Sequence, residues 1–257
     1  MVNEAVLTLT NYFGNPEGNK VHYFGLQDKV QDVLNVLFSG ERIIRDFPDM
    51  VAIKDDVLII VEHFEFDCFK CTRKGSVNRK EQARIDSEFE KLPATENGTI
   101  HHDTIKGESS YQDYLSNIHK NFCEHYDKVS DYKKRLISEG IIKDNMVVKM
   151  MFLIDDVSPI GTMAVDYSQT DPQIEPVILA QSPEFLKLLE ESSDIDYVLC
   201  CSSAGDSRFV WFIDQENLDE YMEIACDYKN MSFLDSNPHV VSGKILISKN
   251  EIEKFNV

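Results

Sequence analysis

The sequence predicts an α/β (α+β) protein built on a mixed central sheet with flanking helices. Three observations predict it. Apolar residues recur at spacings of three and four over residues 26–38 and 109–139, short apolar runs of strand length lie between and after those stretches, and no internal repeat or Ser/Gly-rich linker breaks the alternation.

Residues 26–38 place Leu26, Val30, Val33, Leu34, Leu37 and Phe38 on one helical face, with Gly40 as a stop. Two apolar runs follow, 50–53 and 57–61, separated by Lys54-Asp55-Asp56, which is the pattern of a tight hairpin inside a covered sheet. Residues 85–109 are polar, with Pro93, Gly98 and Gly107, and read as a long excursion. From 109 to 139 a stripe of Leu115, Ile118, Phe122, Val129, Tyr132 and Leu136 predicts one long helix, with Gly140 placed for a left-handed cap. Residues 147–154 form an apolar run ending in Asp155-Asp156 and predict a central strand. Beyond it the pattern predicts a strand near 177–180, a helix opened by Ser182-Pro183-Glu184, and a hairpin of 197–201 with 209–213. A helix over about 216–225 and a strand over 244–247 complete the series. The expected division is a core over residues 1–160 and an α/β extension over 161–257, packed on the same sheet or forming a small lobe.

Composition narrows the class. A chain of 257 residues with 42% hydrophobic residues, 11 Gly and 8 Pro is globular rather than disordered. No run approaches the ~18 apolar residues of a membrane span, and the first residues lack a basic, then apolar, leader pattern, so the expected location is cytoplasmic. Six cysteines in this length do not make a disulfide scaffold. The formal charge of −19 opposes indiscriminate binding to polyanions. Against that background Lys70, Arg73, Lys74, Arg79, Lys80 and Arg84 face only Glu81 in their stretch, a locally basic segment suited to a nucleic-acid backbone.

If the hairpin turns on Asp55-Asp56, Lys54 faces Val57, Val51 faces Ile60, and Asp49 falls opposite Glu62. Opposed residues of an antiparallel pair share a face with Cβ atoms about 4.5–5.5 Å apart. Two carboxylates so close ask for a cation or a proton, and oxygen-rich pairs of this kind hold Mg²⁺ or Mn²⁺. With a helix before Pro48-Asp49, Glu62 near the end of the next strand, then a long helix and another strand, residues 26–155 resemble the PD-(D/E)XK nuclease core. The resemblance implies a restriction-endonuclease-like fold and a divalent-metal phosphodiesterase, with Asp49 and Glu62 as metal ligands. The lysine implied two residues after Glu62 is replaced by Phe64. Lys70, Lys74, Lys80 or His63 are the candidates to supply its charge, and Glu41, at the end of the first helix, is a candidate third acid.

Other patterns carry less. Cys68-Phe69-Lys70-Cys71 is a lone CxxC, with His63, His119, Cys123 and His125 as possible partners; with no second CxxC or spaced His pair, free thiols are expected rather than structural zinc. Residues 203–207 lack a Walker lysine and read as a hairpin turn, and Cys200-Cys201 as packed strand residues. Two functions from different classes follow: a metal-dependent nuclease-like enzyme, or an inactive nuclease-like scaffold whose acidic surface suits a basic protein partner.

Overall fold

In a computed structural model the described residues are 3–14, 20–25, 27–69, 71–72, 75–76, 84, 87, 103–106, 110–158, 163–166, 173–204, 207–225, 232–233 and 239–242. The main elements are helices α1 (Glu4–Leu9), α2 (Gln27–Ser39), α3 (Tyr111–Tyr126), α4 (Val129–Ser138), α5 (Pro183–Glu190) and α6 (Leu218–Glu223). The central sheet is built from β1 (Lys20–Phe24), β2 (Glu41–Ile44), β3 (Met50–Lys54), β4 (Val57–Phe66), β5 (Val147–Asp156), β6 (Tyr197–Ala204) and β7 (Ser207–Asp214).

These seven strands form one mixed sheet in the order β1-β7-β6-β5-β4-β3-β2. The meander β2-β3-β4 is antiparallel, β4 and β5 are parallel, and β5 and β6 are parallel. β7 returns antiparallel to β6 and takes β1 as a parallel edge neighbour. Residues from both sides of position 160 therefore share a single sheet.

Successive residues of a strand point to opposite faces, and both faces are covered. On one face Val51, Leu58, Ile60, Phe64 and Phe66 pack beneath Tyr114, Phe122, Tyr132, Leu136 and Phe185 of α3, α4 and α5. On the other, Met50, Ala52, Ile59, Val61, Met151 and Leu153 meet Ala5 and Leu9 of α1 and Val33 and Leu37 of α2. This double burial is why β4 reads as a continuous apolar run in sequence.

The expected helix over 109–139 is two helices. At their junction Lys128 N–H bonds to His125 O at 3.2 Å, a tighter turn than the α-helical one, yet Val129, Tyr132 and Leu136 stay on the same core and keep the stripe unbroken. Gly140 ends α4 as the sequence suggests. Its φ of 72° lets Ile141 N–H reach Leu136 O and its own N–H reach Ile137 O, each at 3.0 Å, the paired bonds of a Schellman cap. Ser182 caps α5 by accepting from Phe185 N–H.

Two other expectations move. In place of a strand near 177–180 there is a short strand at Gln173–Pro176 and a 3₁₀ turn at Leu179–Gln181, which buries Leu179 and Ala180 and delivers Ser182 to its capping position. The last helix is preceded by a 3₁₀ turn, Gln215–Asn217. The strand expected over 244–247 lies outside the described residues, as do residues 85–86 and 88–102 of the polar excursion. Among the described residues no helix is long and apolar enough to cross a membrane.

Candidate metal centre at the carboxyl ends of β4 and β5

The hairpin has the register that the sequence implies, with Lys54 opposite Val57, Val51 opposite Ile60 and Met50 opposite Val61. The next position places Asp49 at the end of the ladder beside Glu62. The Asp49 carboxylate accepts the His63 backbone N–H at 2.7 Å, and Glu62 Oε1 meets His125 Nδ1 of α3 at 2.6 Å. Burial pushes Asp49 up to about 6, the His63 N–H opposes it, and the nearby Glu62 charge adds to the rise. The hydroxyl of Tyr132, 0% exposed, makes no bond of good geometry; burial pushes its pKa up, and the nearby Glu62 carboxylate opposes its ionisation further. The like-charge conflict at this pair is thus met by an imidazole and by Asp49's affinity for a proton.

Asp49 sets a pH dependence whose sign is fixed. Its folded pKa lies above the ordinary 3.8, so the native state holds the proton more tightly, and the associated stability is full below 3.8 and lost as pH rises through about 6. Asp49→Asn mimics the protonated acid and is expected to be more stable than the parent at pH 7.5 by about 1–2 kcal/mol, allowing for partial exposure. Urea unfolding should show the difference vanishing near pH 4; a gain of equal size at both pH values would remove Asp49 titration as its cause.

Of the remaining sequence candidates, few converge. Phe64, in the position implied for lysine, is 5% exposed and packs its ring on His125 and Phe152 with centroid distances of 4.7 and 5.5 Å. Glu41 is not at a helix end facing the acids. Once Gly40 stops α2 the chain turns directly into edge strand β2, where Glu41 is exposed opposite Ile53, three residues or about 10 Å along β3 from Met50. Lys70, Arg73, Lys74, Arg79 and Lys80 lie outside the described residues, and Arg84 is exposed. Cys68 is buried, its thiol pushed up to about 12 by desolvation, whereas Cys71 is exposed. Cys123 and His119 face each other at 3.9 Å along α3, and His125 is committed to Glu62, so these groups stand in separate places.

A different set does converge. Strand alternation sends His63 and Glu65 to the face opposite Glu62, and the parallel register sets Glu65 beside Asp155 of β5. Among the described residues, His63, Glu65 and Asp155 are the one group of three whose ligand atoms all lie within 4.8 Å of one another. Thr8 and Tyr12 reach the group from the N-terminal segment. Tyr12 OH donates to Asp155 Oδ1 at 3.0 Å, and Thr8 Oγ1 stands 3.2 Å from His63 Nε2 and 3.5 Å from Asp155 Oδ2.

Its electrostatics suit a cation. Burial raises Asp155 to about 6, with the Glu65 and Asp156 charges adding and the Tyr12 bond opposing. Burial lowers His63 to about 4, helped by the charge of His125, which leaves a neutral imidazole near pH 7. One neutral imidazole nitrogen and two carboxylates form a donor set compatible with Mn²⁺, Mg²⁺ or Zn²⁺. The sequence contains a signal for half of it: His63-x-Glu65 shares a strand face, and Asp155 ends the central strand.

No family model, curated protein or solved structure matches this chain.

Proposed function

We propose that this protein is a divalent-metal-dependent, nuclease-like phosphodiesterase whose metal is held by His63, Glu65 and Asp155. The convergence of those three ligand atoms within 4.8 Å at the carboxyl ends of adjacent parallel strands carries the reading. The helix, three-strand meander, helix pair and parallel strand from α2 to β5 follow the element order of the PD-(D/E)XK resemblance and add support. A divalent ion there supplies Lewis acidity toward a phosphoryl oxygen and a water of lowered pKa. His63 contributes a neutral nitrogen donor, and Glu65 and Asp155 contribute charge. The basic segment 70–84 is the part of an otherwise acidic chain suited to a phosphate backbone.

The test pairs Mn²⁺ binding, followed by the paramagnetic signal of the free ion, with cleavage of labelled single- and double-stranded DNA and RNA in Mg²⁺ or Mn²⁺. Glu65→Gln and Asp155→Asn are each expected to weaken Mn²⁺ binding by about tenfold or more and to abolish cleavage. Asp49→Asn and Glu62→Gln should leave Mn²⁺ affinity within about threefold, because their carboxylates are outside this group. A parent protein that binds neither ion at millimolar concentration, or triad variants that bind as the parent does, would defeat the reading. The burial of Phe64 where the resemblance implies a lysine favours a second reading, an acidic interaction module; Mn²⁺ binding without cleavage of any substrate is the result that selects it.

A further inference from the structure

The metal centre proposed above is covered by the protein's own N-terminal segment. Thr8, 5% exposed, places one hydroxyl between His63 Nε2 and Asp155 Oδ2, two of the atoms a metal would use, while Tyr12 takes the other Asp155 oxygen. With ligand distances of about 2.0–2.2 Å, an ion shared by His63 and Asp155 would fall in the region that the Thr8 hydroxyl now fills.

The hold on this segment is identifiable. α1 has six residues, too few for a helix to persist without tertiary support. That support comes from Ala5, Leu9 and Tyr12, all buried, and from Asn3. The Asn3 side chain accepts from Val6 N–H at 3.1 Å and donates to Asp49 O at 3.0 Å. A π-helical turn, Thr10–Gly14, follows α1; such turns are rare and concentrate at functional sites. The outer side of the helix leaves Leu7 47% exposed.

We infer that residues 3–14 form an autoinhibitory strap, in which Thr8 and Tyr12 occupy the coordination positions of His63 and Asp155 and must withdraw before a divalent ion binds. The inference rests on the metal reading above and adds its regulation. A strapped site binds with an affinity reduced by the fraction of molecules in which the strap is lifted, so anything that loosens the segment tightens metal binding.

The experiment measures Mn²⁺ affinity in the full chain by the same paramagnetic readout, with amide hydrogen exchange over residues 4–9. Thr8→Ala combined with Tyr12→Phe is expected to bind Mn²⁺ about tenfold more tightly than the parent, since competing hydroxyl contacts are lost. Thr8→Ser, which retains the hydroxyl, should match the parent, and Mn²⁺ should accelerate exchange over residues 4–9 in the parent. Unchanged or weaker binding by the double variant, or slower exchange in Mn²⁺, overturns the strap and makes the hydroxyls supports of the ligands, with the metal reading intact. Absence of Mn²⁺ binding in the parent at millimolar concentration, with folding checked by thermal melting, overturns the metal reading and the strap together.

Discussion

His125→Ala is expected to destabilise the fold by about 3 kcal/mol, because it leaves the Glu62 carboxylate buried without its imidazole partner. The side chain of Glu62 is 7% exposed, and its Oε1 lies 2.6 Å from His125 Nδ1. Tyr132, the neighbouring hydroxyl, has no satisfactory partner and cannot by itself replace an imidazole. The same substitution strips the ring that stacks on Phe64 at 4.7 Å and opens space against α3. A charge-assisted bond is worth roughly 1.5–3 kcal/mol and the lost stacking about another 0.5–1.5. Urea unfolding measures the loss. Adding Glu62→Gln should recover part of it, since a neutral amide is easier to bury than an unpaired carboxylate, and the double variant should be less destabilised than the two single effects summed. A loss below about 1 kcal/mol for His125→Ala would show that Glu62 does not depend on the imidazole.

That pair also marks where the sequence stops being legible. The β3–β4 register can be read because a two-residue connection at Asp55-Asp56 leaves one way to align the flanking apolar runs, and Asp55 accepts the left-handed backbone, φ 54°, that the turn requires. Gly140 is legible for a similar reason, since only local geometry decides a helix cap. The partner of Glu62 is not legible, because it depends on which turn of α3 lies over β4, and that is settled by the docking of Phe122 and Tyr114 on Phe152 and Phe66. The neighbour of Glu65 is set by a register between strands far apart in the chain, fixed by packing on both sheet faces. The pair of Asp49, just before β3, and Glu62 of β4 therefore stands out in sequence, while the His63, Glu65 and Asp155 group on the other face of the sheet emerges only when β5 is laid beside β4. Glu41 illustrates the converse error: a stop signal at Gly40 says where α2 ends but not which way the chain leaves it.

The edge of the sheet offers an equally large effect. Gly25 follows β1 with φ of 96°, a conformation open to glycine and strained for any other residue. The strand it leaves is paired in parallel with β7, so the turn passes directly over the β7 backbone, and a Cβ built at position 25 would stand 2.2 Å from Phe212 O and 3.3 Å from Tyr221 OH. That oxygen already accepts the Tyr221 hydroxyl at 2.8 Å, which anchors α6 to the sheet. Gly25→Ala must therefore displace β1, break the Tyr221 bond, or both. Backbone strain of about 1–3 kcal/mol and a steric term of similar size give an expected loss of about 3 kcal/mol. The displacement has its own reporter, since Trp211, the one tryptophan in the chain, stacks on Phe24 with centroids 4.2 Å apart and planes 10° from parallel. A shifted β1 should change the native tryptophan emission as well as the urea midpoint. If stability falls without any change in emission, the strain is absorbed within the turn and β1 keeps its place; if neither changes, the close approach of Gly25 to β7 is wrong.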